Sequence, residues 1–593
     1  MLAARALCAS AARAGARAAS AGALSALSLK SASFAVLRAH GAAYVDKTSA
    51  IADLLASDEA MSAFFARPRK FGKSLTLDVA AEMLAAGALP VGVAPWPGYA
   101  PVDVEAVFGG LAVHARLRAR DPSLRGLLER AHFVVDLGLG EAQTGAKLEA
   151  TIFDGLADIA GRAFGGALKA KVRAAGTPEG AVRALISAVP RGVPVALLVD
   201  EYDNAIVHDV SKGRWAAAGE GIDALRSLLM ATKAPSVGAR IERCLVTGVA
   251  RFAQTSLFSG ANNFSDLTND PLLSRVLGFS EAEIRATFPA ALARLAGTLG
   301  TDVDGAVAEL ARWYNGFSFD GVTSCFNPYP VLEALRAGTI TERELAAASG
   351  IDWLSLTPGD VVQGLAMELQ TGALAAPLSV NVADLESRRV RAVPLLLQTG
   401  LLSVVPERPG LYFAPNEYAR RSMQLMVATA LEVKSTTLAP FAAALHSCDR
   451  EAFTAAVKLL FQQIPRTLFK RDSGGDVGPR EAVYHAALFA ALKATALPDV
   501  DVQIQSSSIH GVADIIVTFS GATAWVIEIG LGSDAAAKLP QALQYAQTVS
   551  EANVFCCAIV VNADLKSASL AAAGNAAVSV AWLQRVGSSF TLA

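Results

Sequence analysis

The chain has 593 residues, too many for one compact core, and its 53 % apolar content is carried largely by alanine. Lys and Arg number 52 against 54 Asp and Glu, a net charge of −2 that excludes a globally basic nucleic-acid binder but leaves room for a local patch. No uninterrupted apolar run reaches the roughly 18 residues of a membrane span. The six cysteines (Cys8, Cys244, Cys325, Cys448, Cys556, Cys557) form no C-x-x-C pair, so they read as reduced thiols of an intracellular protein, not as a zinc site.

Residues 1–40 differ from the rest. Arg5, Arg13, Arg17, Lys30 and Arg38 are basic, serine and alanine abound, and no acid precedes Asp46. This is the composition of a mitochondrial or plastid transit peptide, and equally of an Ala-rich disordered leader. Without targeting, the expected location is cytoplasmic or nuclear. Beyond the leader, Asp46 and Lys47 stand close upstream of an apolar run, Ala63 to Ala66, that reads as a short strand. Helical spacing of Leu75, Val79, Met83 and Leu84 predicts a helix opened by Gly72-Lys73-Ser74. Strand, loop, Gly-Lys-Ser and helix together build a phosphate-binding loop. Amides at a helix N-terminus face the anion, the Lys73 ammonium reaches the outer phosphates and the Ser74 hydroxyl takes a Mg²⁺ position. Arg67 stands where the general pattern has its first glycine, so a basic surface turn is the alternative.

Phe133 to Leu137 is the next strand candidate, followed by helical patterns over Lys147 to Ala163 and Pro178 to Val189. The run Val195 to Val199 then ends in Asp200-Glu201-Tyr202-Asp203. Five apolar residues closing on two carboxylates suit a buried parallel strand that delivers acids to the sheet's carboxyl edge. In a P-loop ATPase Asp200 would hold Mg²⁺ and Glu201 would orient or deprotonate the attacking water. The alternative is a core strand followed by a solvated acidic turn. Arg243 to Gly248 completes an alternation of strand and helix that indicates an α/β fold, a parallel sheet with helices on both faces.

These blocks resemble the AAA-ATPase-like proteins that carry a PD-(D/E)XK nuclease-like domain at the C-terminus. The resemblance rests on Tyr44-Val45-Asp46-Lys47-Thr48, on Arg67-Pro68-Arg69-Lys70-Phe71-Gly72-Lys73-Ser74 and on Val199-Asp200-Glu201-Tyr202-Asp203. It extends through Thr247-Gly248-Val249-Ala250-Arg251-Phe252, Asn262-Asn263-Phe264-Ser265-Asp266, Trp313-Tyr314-Asn315-Gly316-Phe317 and Asn327-Pro328. In that family the loop begins with Arg-Pro-Arg. The resemblance implies ATP and Mg²⁺ as cofactors, residues Arg67 to Ser74 as the nucleotide loop, Thr247 as the polar sensor of the γ-phosphate or attacking water, and Arg251 as a phosphate reader in cis or from a neighbouring subunit. Asp46 and Lys47 would touch base or ribose, or Asp46 would cap the next helix. The expected architecture is an ATPase domain over 41–280, a helical lid and winged-helix-like region over 281–440, and a nuclease-like domain over 441–593.

Within the lid, Glu281 to Leu299 and Val303 to Tyr314 read as amphipathic helices. Val390 to Leu402 reads as a helix entering two short strands, Leu402 to Pro406 and Leu411 to Pro415, with Asn416 to Ala428 as another helix. Arg408, Arg420 and Arg421 are too few charges to mark this region as a DNA binder. From Glu481 the order αβββαβ looks like the PD-(D/E)XK core, whose chemistry needs an acid on the second strand and E-x-K on the third. Asp514 and Glu528 take the carboxylate positions for Mg²⁺, but Gly530 occupies the lysine's place, so cleavage is expected to be weak or absent. Lys538, on the following helix, is the candidate substitute. The leading function is an ATP-binding and hydrolysing switch protein with a degenerate nuclease-like module. The alternatives are an ATP-regulated, Mg²⁺-dependent DNA nuclease and a catalytically dead P-loop scaffold. Nucleic acid would engage through the C-terminal module; the protein partner and the oligomeric state are not legible.

Overall fold

The computed structural model describes residues 33–119, 121–124, 129–235, 237–251, 263–340, 374–375, 392–404, 411–422, 435–464, 481–494, 500–503, 515–519, 523–532, 534–546, 553–561, 578–586 and 589–592. The chain divides into two compact units, Met1–Ile351 with Pro377–Tyr418, and Asp352–Ala376 with Ala419–Ala593. Asp514, Arg408, the rest of segment 405–410, residues 423–428 and leader residues 1–32 lie outside the described residues.

In the first unit, five parallel strands form the central sheet among the described residues: β1 (Ser62–Ala66), β2 (Phe133–Gly138), β3 (Val195–Asp200), β4 (Ile241–Gly248) and β5 (Ser265–Asp266). Their spatial order is β2-β3-β4-β1-β5, so the strand leading into the Gly-Lys-Ser turn is separated from the acid-bearing strand by β4. Because every neighbouring pair is parallel, all the carboxyl ends share one edge. The register sets Ala66 opposite Gly248 and Asp200 opposite Gly138. β3 is buried from Val195 to Val199, as a strand covered on both faces must be.

Helix α1 (Phe34–Ala39) falls inside the span expected to be a leader, yet Phe34 is fully buried and Arg38 donates to the carbonyls of Val107 and Gly109. α2 (Thr48–Ala56) and α3 (Lys73–Ala85) pack with it on one sheet face, around Phe65, Leu77, Val79, Leu84, Leu198 and Leu245. α4 (Gly145–Phe164), α5 (Pro178–Ala188), α6 (Asn204–Ser211) and α7 (Trp215–Met230) complete the α/β layering. The expected single helix over Glu281 to Leu299 is two, α8 (Glu281–Thr287) and α9 (Pro289–Leu299). Pro289 lacks an amide donor and restricts Phe288, so the first helix stops and the proline serves as the first turn of the second. α10 (Val303–Tyr314) matches its expected span. It leads into a small antiparallel hairpin, β6 (Phe317–Ser318) with β7 (Ser324–Cys325), and then α11 (Pro328–Ala337).

In the region expected to be winged-helix-like, the described pieces are α12 (Ala392–Thr399), then β8 (Ser403–Val404) antiparallel to β9 (Leu411–Phe413). These belong to the first unit, ending at Tyr418. Among the described residues the second unit holds a six-stranded sheet in simple chain order: β10 (Val500–Gln503), β11 (Ile515–Phe519), β12 (Thr523–Leu531), β13 (Asn553–Val561), β14 (Val578–Val586) and β15 (Ser589–Leu592). Only β12 and β13 run parallel, joined through α14 (Leu539–Ala546), and α13 (Glu481–Ala494) precedes the sheet. The αβββαβ order is as read from the sequence; the last two strands are an addition to it.

Two glycines allow α4 and α7 to approach closely. A Cβ on Gly145 would lie 1.9 Å from the Ala217 carbonyl oxygen, and one on Gly221 would lie 2.9 Å from Gly145 Cα. The contact also seats the Gly145 amide on the buried Asp209 carboxylate at 2.6 Å. Gly145→Ala therefore has to push α4 from α7, and we expect it to destabilise the first unit by about 1–3 kcal/mol. Denaturant unfolding followed by circular dichroism measures this; a midpoint equal to the parent's contradicts the tight crossing.

Candidate functional site

The site is built on the turn that follows β1. Arg67 and Phe71 point away from the sheet edge into the protein. Arg67 Nη1 donates to Ala66 O at 3.0 Å and to Thr268 O, and its guanidinium lies 4.0 Å over the Phe319 ring. Burial strips its water and lowers its pKa to about 10. The Phe71 ring meets Phe317 and Phe319 edge-on at 5.1 and 5.6 Å. With residues 67 and 71 fixed beneath the β6–β7 hairpin, the intervening chain must reverse. Lys70 takes φ 65°, unusual for a residue with a side chain, and Gly72 takes φ 91°, where glycine is the natural choice. Gly72 caps α3, and Lys73 and Ser74 open it.

Lys73 is 7 % exposed, and its ammonium donates to the carbonyls of Arg67 and Pro68, both at 2.9 Å. Desolvation lowers its pKa to about 8, against the pull of Asp200, Asp203 and Glu201. Those acids end β3. Asp200 Oδ1 accepts the Glu201 amide at 2.8 Å. Glu201 has φ 53° and is exposed, and its carboxylate lies over Gly140, where a Cβ would stand 1.7 Å from Oε2. Asp203 is buried and accepts the amides of Val249, at 2.9 Å, and Ala250. It clamps the chain leaving β4, and burial raises its pKa. Gly248 fits beneath it because a Cβ there would come within 2.3 Å of Asp203 Oδ1.

Around this edge lies a cavity of about 580 Å³. The loop from Arg69 to Ser74 lines it together with Glu201 and Asp203, and Tyr44, Val45, Phe279 and Leu332 supply apolar lining. Arg69 reaches Asn204 Oδ1 at 2.9 Å, and Asn204 in turn donates to Gly140 O at 3.0 Å. The structure thus brings Lys73, Ser74, Arg69, Lys70, Phe71, Gly72 and Glu201 to one cavity, with Asp200 at the end of β3 beside them.

Other expected residues sit elsewhere. Arg67 and Pro68 line a separate, smaller cavity of about 30 Å³, and so does Arg251, whose Nε pairs with Asp266 at 2.6 Å. Arg251 is therefore held away from the cavity of its own chain. Thr247 is fully buried and spends its hydroxyl on Phe65 O at 2.9 Å, inside the sheet. Asp46 is not the N-cap of α2, a place that Lys47 takes; its carboxylate accepts from the amide and hydroxyl of Thr48 at 2.9 and 2.6 Å and from the Ala112 amide at 2.7 Å. Lys47 does reach the cavity wall, paired with Glu283 at 2.7 Å. The sequence reading missed Asp203, Asn204, Gly140 and Tyr329. Asp203 alone carried a local signal, as the last acid of the β3 run.

In the second unit Glu528 is 2 % exposed on β12, and Gly530 follows on the same face of the strand. A Cβ on Gly530 would lie 2.7 Å from Lys538 Cε and 3.1 Å from its Nζ. The lysine side chain occupies the space that the glycine leaves.

Residues 30–86 and 129–258 match the model of a family described as predicted AAA-ATPase. That match covers the Gly-Lys-Ser turn and the acids of β3. An uncharacterised protein in the vnfD 5′ region of Azotobacter chroococcum mcd 1 is 32 % identical over 291 residues, 49 % of this chain and 47 % of the relative. The chain thus spans about half the length of the curated relative it matches. No solved structure matches. Among the described residues no helix is long and apolar enough to cross a membrane.

The depressed pKa of Lys73 gives the site a pH signature. Below about 8 the ammonium carries the charge that a bound polyphosphate would require; above it the amine is neutral until an anion draws a proton back. Affinity should fall as pH rises through that value, with net proton uptake on binding above it. Lys73→Arg, which stays charged, should lose both effects. Calorimetry in buffers of different ionisation enthalpy checks this, and pH-independent binding by the parent contradicts it.

Proposed function

We propose that the first unit binds ATP and hydrolyses it. The observation that carries the reading is the buried Lys73 ammonium at a helix N-terminus, lining a cavity that Glu201 and Asp203 also line. Among the described residues the Lys73 ammonium is hydrogen-bonded by two loop carbonyls, so it is a ready partner for phosphate oxygens, which bind it through stronger, charge-assisted bonds. The amides of the Gly72-Lys73-Ser74 turn add the helix N-terminus to that attraction. The cavity's apolar lining suits a nucleobase. Ser74 and Asp200 are the residues that would hold Mg²⁺, which supplies charge neutralisation on the outer phosphates. Glu201, exposed at the cavity, orients and deprotonates the attacking water. The match to the predicted AAA-ATPase family supports the same reading.

Lys73→Ala should abolish Mg·ATP binding in calorimetry with an unchanged circular dichroism spectrum. Glu201→Gln should keep ATP binding and lower turnover by about 10²- to 10⁴-fold. Equal ATP affinity in parent and Lys73→Ala would remove the nucleotide assignment; turnover at the parent rate in Glu201→Gln would remove only the role of that carboxylate.

One observation favours a second activity, in the other unit. Lys538 lies over Gly530, so the missing ammonium of an E-x-K arrangement has a substitute beside the strand that carries Glu528. In this reading the second unit cleaves DNA phosphodiesters. Supercoiled plasmid incubated with Mg²⁺ should be nicked by the parent, with losses of about 10²- to 10³-fold in Lys538→Ala and in Glu528→Gln. Absence of nicking by the parent would leave this unit a binding module.

A further inference from the structure

The nucleotide loop contains four cations, and three of them are committed. Arg67 is buried beneath the hairpin, Arg69 donates to Asn204, and Lys73 donates to the loop carbonyls. Lys70 is the fourth. Its ammonium stands 3.5 Å above the centre of the Tyr329 ring, and no hydrogen bond or ion pair holds it among the described residues. Both side chains line the cavity that Lys73 faces.

Neither end of this contact is free to drift. Lys70 has φ 65° between two residues fixed under the β6–β7 hairpin, so its backbone is held and only its four-carbon stem can swing. Tyr329 lies in the first turn of α11, after Pro328, with its amide accepted by Asn327 Oδ1 at 3.2 Å. The ring face offers an ammonium a modest attraction, weaker than a charge-assisted hydrogen bond to phosphate. The ammonium therefore has two partners of unequal strength within the same cavity.

We propose that Lys70 exchanges between the face of Tyr329 and the terminal phosphate of a bound nucleotide, so that Tyr329 tunes the preference for a nucleoside triphosphate over a diphosphate. This rests on the nucleotide reading of the cavity. A diphosphate engages Lys73 and the amides of the turn, and Lys70 stays on the ring. A third phosphate adds the charge that draws Lys70 away, and that transfer costs the cation–π contact. Removing the ring removes the competing partner. It should tighten the triphosphate and leave the diphosphate alone, the opposite of what loss of a merely structural residue would do.

The test is calorimetry on the full chain with Mg²⁺ and either a non-hydrolysable ATP analogue or ADP. Tyr329→Leu should tighten the triphosphate analogue about two- to fivefold, the equivalent of a surface cation–π contact, with ADP affinity unmoved. Tyr329→Phe, which keeps the ring face, should restore the parent's preference. Lys70→Met should weaken the analogue more than ADP, and adding Tyr329→Leu to it should change nothing further, because the coupling runs through the ammonium. The inference is overturned if Tyr329→Leu shifts both nucleotides equally, weakens the triphosphate, or keeps its effect in the Lys70→Met background. Binding of neither nucleotide by the parent would instead defeat the nucleotide reading itself, and this inference with it.

Discussion

A buried ammonium needs partners, and the first unit is arranged around supplying them to Lys73. Two come from the loop itself, the carbonyls of Arg67 and Pro68. The rest is longer-range: the acids at the end of β3 hold the charge against desolvation. An unpaired charge in such a place would be several kcal/mol less stable by order of magnitude, so loop, sheet edge and acids are coupled. This is why the strand order matters. With β4 between β1 and β3, the turn that carries Lys73 and the acids that follow β3 leave strands that are not neighbours.

The loop keeps its shape through apolar anchors. Arg67 stacks on Phe319, and Phe71 meets Phe317 and Phe319, so the β6–β7 hairpin acts as a support under both ends of the reversal. Pro68 is tight against Gly400, where a Cβ would approach its ring to 2.8 Å. The β6–β7 hairpin and the turn after α12 therefore both pack against the turn that carries Lys73. Displacement of the hairpin or of the turn after α12 would be felt directly at Lys73, since the carbonyls that hold its ammonium belong to the residues so anchored.

Asp203 shows how one side chain can secure a neighbouring strand's exit. It accepts two successive amides after β4, while the Tyr202 hydroxyl donates to the Ala250 carbonyl at 2.7 Å. The chain leaving β4 is thereby turned so that Gly248 and Val249 line the main cavity, while Arg251 pairs with Asp266 in a different one. Arg251, expected to read phosphate, thus stands at a different cavity from Lys73, paired with Asp266.

Much of this was legible in the linear sequence. β1, β3 and β4 announced themselves as short apolar runs, and α3, α4, α5 and α10 by helical spacing, because burial of one face imposes a period that survives in the residue order. Gly72-Lys73-Ser74 and Asp200-Glu201 were readable because their chemistry is local: a turn, a cap and a strand end. Tertiary structure decided the rest. Arg67 was read as part of the phosphate loop from its position, but only packing beneath a hairpin some 250 residues away (Phe319) could turn it inward. Gly140 matters only because Glu201 folds over it, and Tyr329 only because Lys70 rests on it; neither pair has a sequence spacing to detect. The pairing of Gly530 with Lys538 is legible in the sequence, and the fold adds their contact. The sequence by itself determined which residues could do phosphate chemistry; the fold decided which of them share a cavity, since long-range contacts obey the packing of sheet and lid and leave no period along the chain.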